Sequence, residues 1–405
     1  MKCVLSSQHV QGILFISLVF ILHLSDQGSI MDSLTEANNI LAITLLKTLC
    51  KEKTENVLFS PPSISFALAM VLLGAKNETA AQIEQLLSED KDVDINLGFQ
   101  SLLTEMNKPV TSHLLGTTNR VFGENALNFL PSFKESCEKF YNSILEDVCF
   151  SEEADAMRKH INAWVAENTE GKILEALPED SVNPLSLLIF VNAINFNLKW
   201  KTDLETVKRF LRSHKFRKEE YRMSQVMMKE EVFLGSYIEE LGANVCINTC
   251  DKTDCSIILV LPVDDGKKME KGLTYEMFIT WTKPETVDLM EILSKQLFLP
   301  QIKIEESYDL VRILCSLGMY DAFHEEKADF SGLSTLKALQ PLSIFHSSSL
   351  EFYEEGIKAS AATVAVEIPG TAKGKGEFKI PCLFLFFIWS HKIKSILFCG
   401  RVCTP

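Results

Sequence analysis

Apolar positions recur at helical spacing through Leu34, Ala37, Leu41, Leu45 and Leu49, which predicts an early helix with Asp32 or Ser33 as its N-cap. A second amphipathic pattern runs through Ile161, Trp164, Val165 and Asn168 and stops at Gly171. The pattern then changes. From Leu185 to Phe196 the chain is apolar almost throughout and rich in branched and aromatic residues, which predicts a strand buried on both faces. Ser256 to Pro262 and Ser395 to Gly400 predict strands of the same kind. Helices come first, then strands mixed with helices, then strands. That order implies an α+β protein with large sheets and no regular βαβ alternation. After Met31 there is no linker, low-complexity tract or internal repeat, so residues 31–405 read as one domain.

The 405 residues, 46% of them hydrophobic, suffice for one large core. The net charge of −14 argues against nucleic acid as a partner. Aromatic usage, 26 Phe against 4 Trp and 7 Tyr, suits a packed core better than a stacking platform. Eleven cysteines, odd in number and scattered, do not form a disulfide framework and fit a reducing compartment. The one cluster, Cys246, Cys250 and Cys255, lacks the paired spacing of zinc sites and reads as free thiols, so no metal is expected. The N-terminus points the other way. Lys2 precedes an apolar run from Ile13 to Leu22, followed by Ser25, Gly28 and Ser29. Residues 1–30 therefore read as a secretory signal, an uncleaved anchor, or an extension ahead of a second start at Met31.

Signatures of catalysis are missing. There is no G-x-S-x-G elbow, H-E-x-x-H pair, P-loop or G-x-G-x-x-G loop. Gly374 and Gly376 form a lone G-x-G that reads as a flexible loop, and the eight His are dispersed. No catalytic residue and no cofactor is expected.

Seven longer motifs, in order, carry a resemblance. They are Asn56 to Ile83 (NVLFSPPSISFALAMVLLGAKNETAAQI), Ile161 to Ile173 (INAWVAENTEGKI), Phe190 to Trp200 (FVNAINFNLKW), Leu299 to Leu310 (LPQIKIEESYDL), Leu317 to Ser334 (LGMYDAFHEEKADFSGLS), Glu354 to Ile368 (EEGIKASAATVAVEI) and Ile396 to Pro405 (ILFCGRVCTP). Together they resemble the serpin superfamily from Met31 to Pro405. The MDSLTEAN start and the lack of a C-terminal tail are similar to its ovalbumin-like, intracellular branch (clade B), which implies a cytoplasmic location, against secretion as the alternative.

The resemblance implies helices around three β-sheets, with a reactive-centre loop at about residues 354–380. It implies a serine protease inhibitor that is itself a suicide substrate. The target cleaves the loop and becomes acylated, and the cut loop enters the central sheet. The implied partner is a serine protease, elastase-like or trypsin-like, bound covalently by a monomer. No membrane is implied unless the N-terminal segment is retained.

The hinge meets the demands of insertion. Gly356, Ile357, Lys358, Ala359, Ser360, Ala361, Ala362 and Thr363 are mostly small or β-favouring and contain no Pro. In an inserted strand Ile357, Ala359, Ala361 and Thr363 would face inward and Lys358 outward. The attacked residue of the family lies fourteen positions after the hinge glycine, which gives Gly370 with Thr371 following. Phe378 and Phe384 fall where the branch commonly has Phe. Lys373 and Lys375 offer trypsin-like enzymes a shifted site, or are solubilising loop charges. Ser60, Ser63, Asn192 and His346 match the family's shutter, a buried polar group under the opening sheet whose members must hydrogen-bond to one another. Trp200, Gln301 and Glu354 match the breach at the top of that sheet.

Three departures stand out. Ile357 and Lys358 replace the family's usual Thr or Ser and Glu. Gln301 stands where a Lys or Arg often faces the glutamate at 354. The stretch from Lys201 to Cys255 is the weakest match; it contains a basic tract from Lys208 to Arg222 and replaces an expected Leu-Pro-Tyr strand with CINTC at Cys246 to Cys250, which predicts a distorted strand. The basic tract reads as a solvated face or, less simply, an anion site. Asn77-Glu78-Thr79 is a glycosylation sequon that matters only in a secreted chain. Ile357, Lys358 and Gly370 leave a second function open, a non-inhibitory serpin with a binding or chaperone-like role. Restoring the latch with Gln301→Lys adds an ion pair contributing up to about 1 kcal/mol, so the uncleaved variant melts higher than the parent; an unchanged melting temperature rejects the latch.

Overall fold

The structure, a computed structural model, describes residues 7–108, 113–200, 208–216, 220–229, 233–249, 254–294, 296–300, 302–334, 342–354, 377–379 and 383–403. Six longer helices come in the first half: α1 (Ser7–Glu52), α2 (Pro61–Gly74), α3 (Asn77–Leu87), α4 (Ile95–Met106), α5 (Pro131–Tyr141) and α6 (Phe150–Asn168). The described strands make three sheets. A seven-stranded sheet has the order β1 (Val57–Phe59), β16 (Ser395–Val402), β15 (Phe384–Ser390), β9 (Cys255–Pro262), β8 (Ala243–Thr249), β7 (Phe233–Ile238), β10 (Glu291–Ser294). A four-stranded sheet has the order β14 (Glu377–Lys379), β11 (Gln296–Pro300), β6 (Glu220–Lys229), β5 (Lys208–Phe216). The central sheet has five strands in the order β12 (Ile302–Asp309), β13 (Leu342–Glu354), β4 (Leu188–Trp200), β2 (His113–Glu124), β3 (Leu145–Val148).

The apolar run in β4 follows from cover on both faces. Leu188, Phe190 and Ile194 join the main core with α2, while Ile189, Val191 and Ala193 join a second cluster with Ile161 and Val165 of α6. Alternation along one strand thus feeds two cores. Helix α2 is buried nearly all round, as a helix running between layers must be. Helix α6 is fixed by its ends. The Glu124 carboxylate accepts from the Phe150 and Ser151 N–H groups at 2.7 and 3.1 Å, and Gly171 takes the left-handed backbone just past the last turn.

Two expectations change. The helix through Leu34 has no N-cap at Asp32 or Ser33, because α1 is already helical from Ser7; Asp32 instead pairs with Lys394. Nor is the CINTC strand distorted. β8 pairs without a shift from Ala243↔Pro262 to Thr249↔Ser256, and the apolar Val245 and Ile247 hold the buried positions a regular strand needs. The basic tract spans an antiparallel hairpin of β5 and β6.

Arg401 closes the chain on itself. Its side chain is buried and donates to the carbonyls of Cys50, Lys53 and Glu55 at 3.0, 2.7 and 2.7 Å, as well as to the Glu270 carboxylate at 2.9 Å. A cation is thereby placed at the C-terminal end of α1, where orphan carbonyls and the helix dipole favour it. Arg401→Met leaves Glu270 and the three carbonyls unmatched, and a loss of about 3–5 kcal/mol is expected in urea unfolding. A loss below about 1 kcal/mol would show that these contacts are replaceable.

Candidate functional site

The centre of the molecule is the seam between β4 and β13. These strands run parallel and pair from Leu342↔Leu188 to Glu354↔Trp200 with no register shift. β13 is antiparallel to β12 on its other side, and β4 is antiparallel to β2. A parallel ladder is slightly less stable per residue than an antiparallel one, so the sheet carries a weaker joint between stronger pairs.

Across this joint His346 lies opposite Asn192. The residues of one parity on each strand point toward α2, so both side chains enter the inner core; their exposures are 1% and 0%. His346 Nδ1 lies 2.8 Å from Asn192 Oδ1, and the Ser60 backbone N–H, at the start of α2, donates to His346 Nε2 at 3.1 Å. Nε2 is an acceptor there, so Nδ1 carries the proton and the ring is neutral. Burial pushes the imidazole down to about 3, because no counter-charge offsets its desolvation. Asn192 Nδ2 in turn donates to Asn119 Oδ1 on β2. The resulting chain runs from α2 across β13 and β4 to β2. Ser348 on β13 donates from its hydroxyl to the Leu58 carbonyl at 2.9 Å, and Ser347 meets Ser307 on β12 at 2.9 Å.

The expected shutter is thus assembled in part. Asn192, His346 and the Ser60 backbone come together. The hydroxyls of Ser60 and Ser63 do not join them; both are buried, and neither has a partner among the described residues. The Ser60 N–H is engaged by His346, and the Ser60 side chain makes no cap bond to α2. Asn119 was not anticipated. It sits in the polar run Thr117 to Arg120, which does not identify a partner 73 positions away. At the breach, Trp200 and Glu354 are opposite each other at the last pair of the seam. Gln301 lies outside the described residues. So do Gly356, Ile357, Lys358, Ala359, Ser360, Ala361, Ala362 and Thr363 of the hinge, and Gly370 and Thr371 of the reactive bond.

Three of the described thiols are inert by position. Among the described cysteines, burial pushes Cys50, Cys137 and Cys246 up to about 12. Among the described residues no group of His, Cys, Asp and Glu could hold a metal ion.

The lowered His346 pKa fixes the sign of a pH effect. The folded ring stays neutral to about pH 3 while the unfolded ring takes a proton near 6.5. Its contribution is therefore complete above about 6.5 and is lost as pH falls from there toward 3, at about 1.4 kcal/mol per unit. His346→Gln should lower stability at neutral pH by about 1–3 kcal/mol and flatten this part of the pH profile. Parallel profiles of the two proteins in urea titrations would exclude His346 as the titrating group.

Comparison with known proteins agrees with this architecture. The family profile Serpin (serine protease inhibitor) matches residues 36–405. Human serpin B8 is 46% identical over 379 residues, covering 93% of this chain and all of the relative. Mouse leukocyte elastase inhibitor A is 38% identical over 382 residues, with the same coverage. Uncleaved ovalbumin superposes with a TM-score of 0.80 at 26% identity, over 92% of this chain and the whole of that one. With a family match across nearly its whole length, this chain belongs to the serpins, a family of serine protease inhibitors and not of enzymes.

Proposed function

We propose that the protein inhibits serine proteases as a suicide substrate, by inserting its cleaved loop between β4 and β13. The carrying observation is the direction of the seam. Both strands run the same way, and β13 ends at Glu354, where residues 355–376 begin. A chain that turns back from Glu354 into the seam runs antiparallel to both neighbours. Insertion would replace one parallel ladder by two antiparallel ones, with partners on each side for every entering N–H and C=O. The sixteen residues from 355 to 370 exceed the 13 residues of β4. A strand of that length spans about 40 Å, the distance over which a tethered protease would be carried.

In this reading the protease serine attacks the Gly370 carbonyl, the Gly370–Thr371 peptide bond breaks, Thr371 leaves as the new amine, and an ester links Gly370 to the enzyme. The Asn192–His346 bond is then the contact that must part to admit the loop. Residues 31–405 act as one serpin domain, with 1–30 as an extension. The names of two relatives, serpin B8 and leukocyte elastase inhibitor A, support a protease target. A cytoplasmic setting accords with the eleven cysteines, odd in number and without the spacing of a disulfide framework. Asn77 fits the same setting: its amide donates to the Asp329 carboxylate at 2.7 Å.

Incubation with a panel of elastase-like and trypsin-like serine proteases, followed by denaturing electrophoresis, tests the reading. The expected result is a denaturant-stable adduct with cleavage after Gly370, and a nicked protein that melts well above the intact one. Clean cleavage with neither adduct nor gain in melting temperature would instead support the non-inhibitory, binding role to which Ile357 and Lys358 point.

A further inference from the structure

The apolar run near the start of the chain has no place in the serpin fold described above. The family match begins at residue 36, so Ile13 to Leu22 lie ahead of all that the profile covers. Yet α1 is one helix from Ser7 to Glu52, and its later part is seated on the body. A Cβ added at Gly98 of α4 would lie 2.1 Å from Leu34 Cδ1 and 2.9 Å from Ile30 Cγ2, so α1 packs closely on α4 from Ile30 onward. Asp32 then pairs with Lys394.

The composition of the run chooses its surroundings. Every residue from Ile13 to Leu22 except Ser17 is apolar, and no Asp, Glu, Lys or Arg occurs from Cys3 to Ser25. At 3.6 residues per turn such a run is apolar on every side of its axis. A protein surface covers one side of a helix. A second copy of the same helix would also cover one side and leave the others in water. Hydrocarbon surrounds a helix completely, and the backbone groups of a helix are already satisfied from within.

Length and flanks decide the arrangement. At 1.5 Å per residue the run is about 15 Å long, half of the roughly 30 Å hydrocarbon core of a bilayer. It enters one leaflet and does not reach the other side. Among the described residues no helix is long and apolar enough to cross a membrane. A cleavable signal needs two small residues two positions apart after its apolar run. From His23 to Met31 the small residues are Ser25, Gly28 and Ser29, and no two of them have that spacing. The run is therefore kept in the finished protein.

We propose that the start of α1 is retained and seats in one leaflet of a lipid bilayer, holding the protein at a membrane surface. Both ends of a helix that enters one leaflet stay on the same side, so the body remains in the compartment where it is made. The attraction is apolar. No Lys or Arg lies between Lys2 and Lys47, and the net charge is −14, so anionic headgroups add nothing to it. This inference does not depend on loop insertion.

Flotation of the full chain with phosphatidylcholine vesicles tests it. The protein should float with the lipid, equally from about 50 to about 500 mM NaCl, and adding phosphatidylserine should not increase the floated fraction. Ile16→Glu/Phe20→Glu should lower that fraction about tenfold or more and leave the melting temperature unchanged. A second measurement needs no variant. On vesicle-bound protein a membrane-impermeant maleimide should label Cys3, read on the N-terminal peptide by mass spectrometry, because both helix ends face outward. Failure to float, self-association in its place, or binding only to phosphatidylserine at low salt overturns the proposal. Protection of Cys3 shows a spanning helix and overturns the one-leaflet arrangement. In cells the peptide from Lys2 onward should be recovered from the membrane fraction. An N-terminus at or beyond His23, or a glycan on Asn77, overturns retention on the side of synthesis.

Discussion

His346 donates from Nδ1 to Asn192 across the parallel joint at the middle of the sheet, and its other nitrogen accepts the Ser60 N–H just ahead of the central helix. That geometry allows one protonation state only, the neutral ring with its proton on Nδ1. A charged ring would set an N–H against the Ser60 N–H, with no counter-ion in a core of Phe190, Ile194 and Ile344. The helix, the two strands and β2 are consequently registered to each other by one imidazole. Buried polar groups of this kind specify an arrangement more than they stabilise it.

Under the proposed loop insertion the sheet must stay shut yet be able to part, and the remaining contacts near the joint suit that demand. Ser347, Ser348 and Ser349 follow His346 on β13, and all three are buried and small. No large side chain there would have to be pulled out of a pocket when the strands separate. Helix α6 covers the outer face through Ile161 and Val165; Glu124 holds its start, and Asn162 in its second half exchanges two hydrogen bonds with Leu177. Between these ties the cover meets the sheet through apolar contact, which is non-directional, and through His160, whose Nε2 lies 2.6 Å from Glu146 Oε1 on β3.

Much of this was legible from residue patterns. The double-faced burial of β4 follows from its unbroken apolar run, and the end of α6 follows from Gly171. The pairing of Asn192 with His346 followed from family motifs, since nothing local links residues 154 positions apart. Three features were misjudged for physical reasons. Asp32 looks like a helix cap because propensity is read locally, but the preceding residues continue the helix and Asp32 serves an ion pair. CINTC looks unlike a strand by composition, yet cross-strand neighbours override propensity. The Ser60 and Ser63 hydroxyls look like members of a polar network, but whether a hydroxyl reaches a partner depends on distances that no spacing encodes.

The clamp on α1 bears on the order of events during synthesis. Arg401 caps the end of that helix, Asn38 donates to Ser395, and Asn39 holds the Lys394 carbonyl and the Ile396 N–H, so the first helix is fastened by residues made far later, 351 positions on for the Arg401–Cys50 contact. β1 likewise finds its partner only in β16 among the described strands. A nascent chain cannot complete its main core until β16 has emerged from the ribosome, since these contacts span very long loop closures. Until then the early helices lack these anchors, and the emergence of β16, more than any local folding step, times the closing of the molecule.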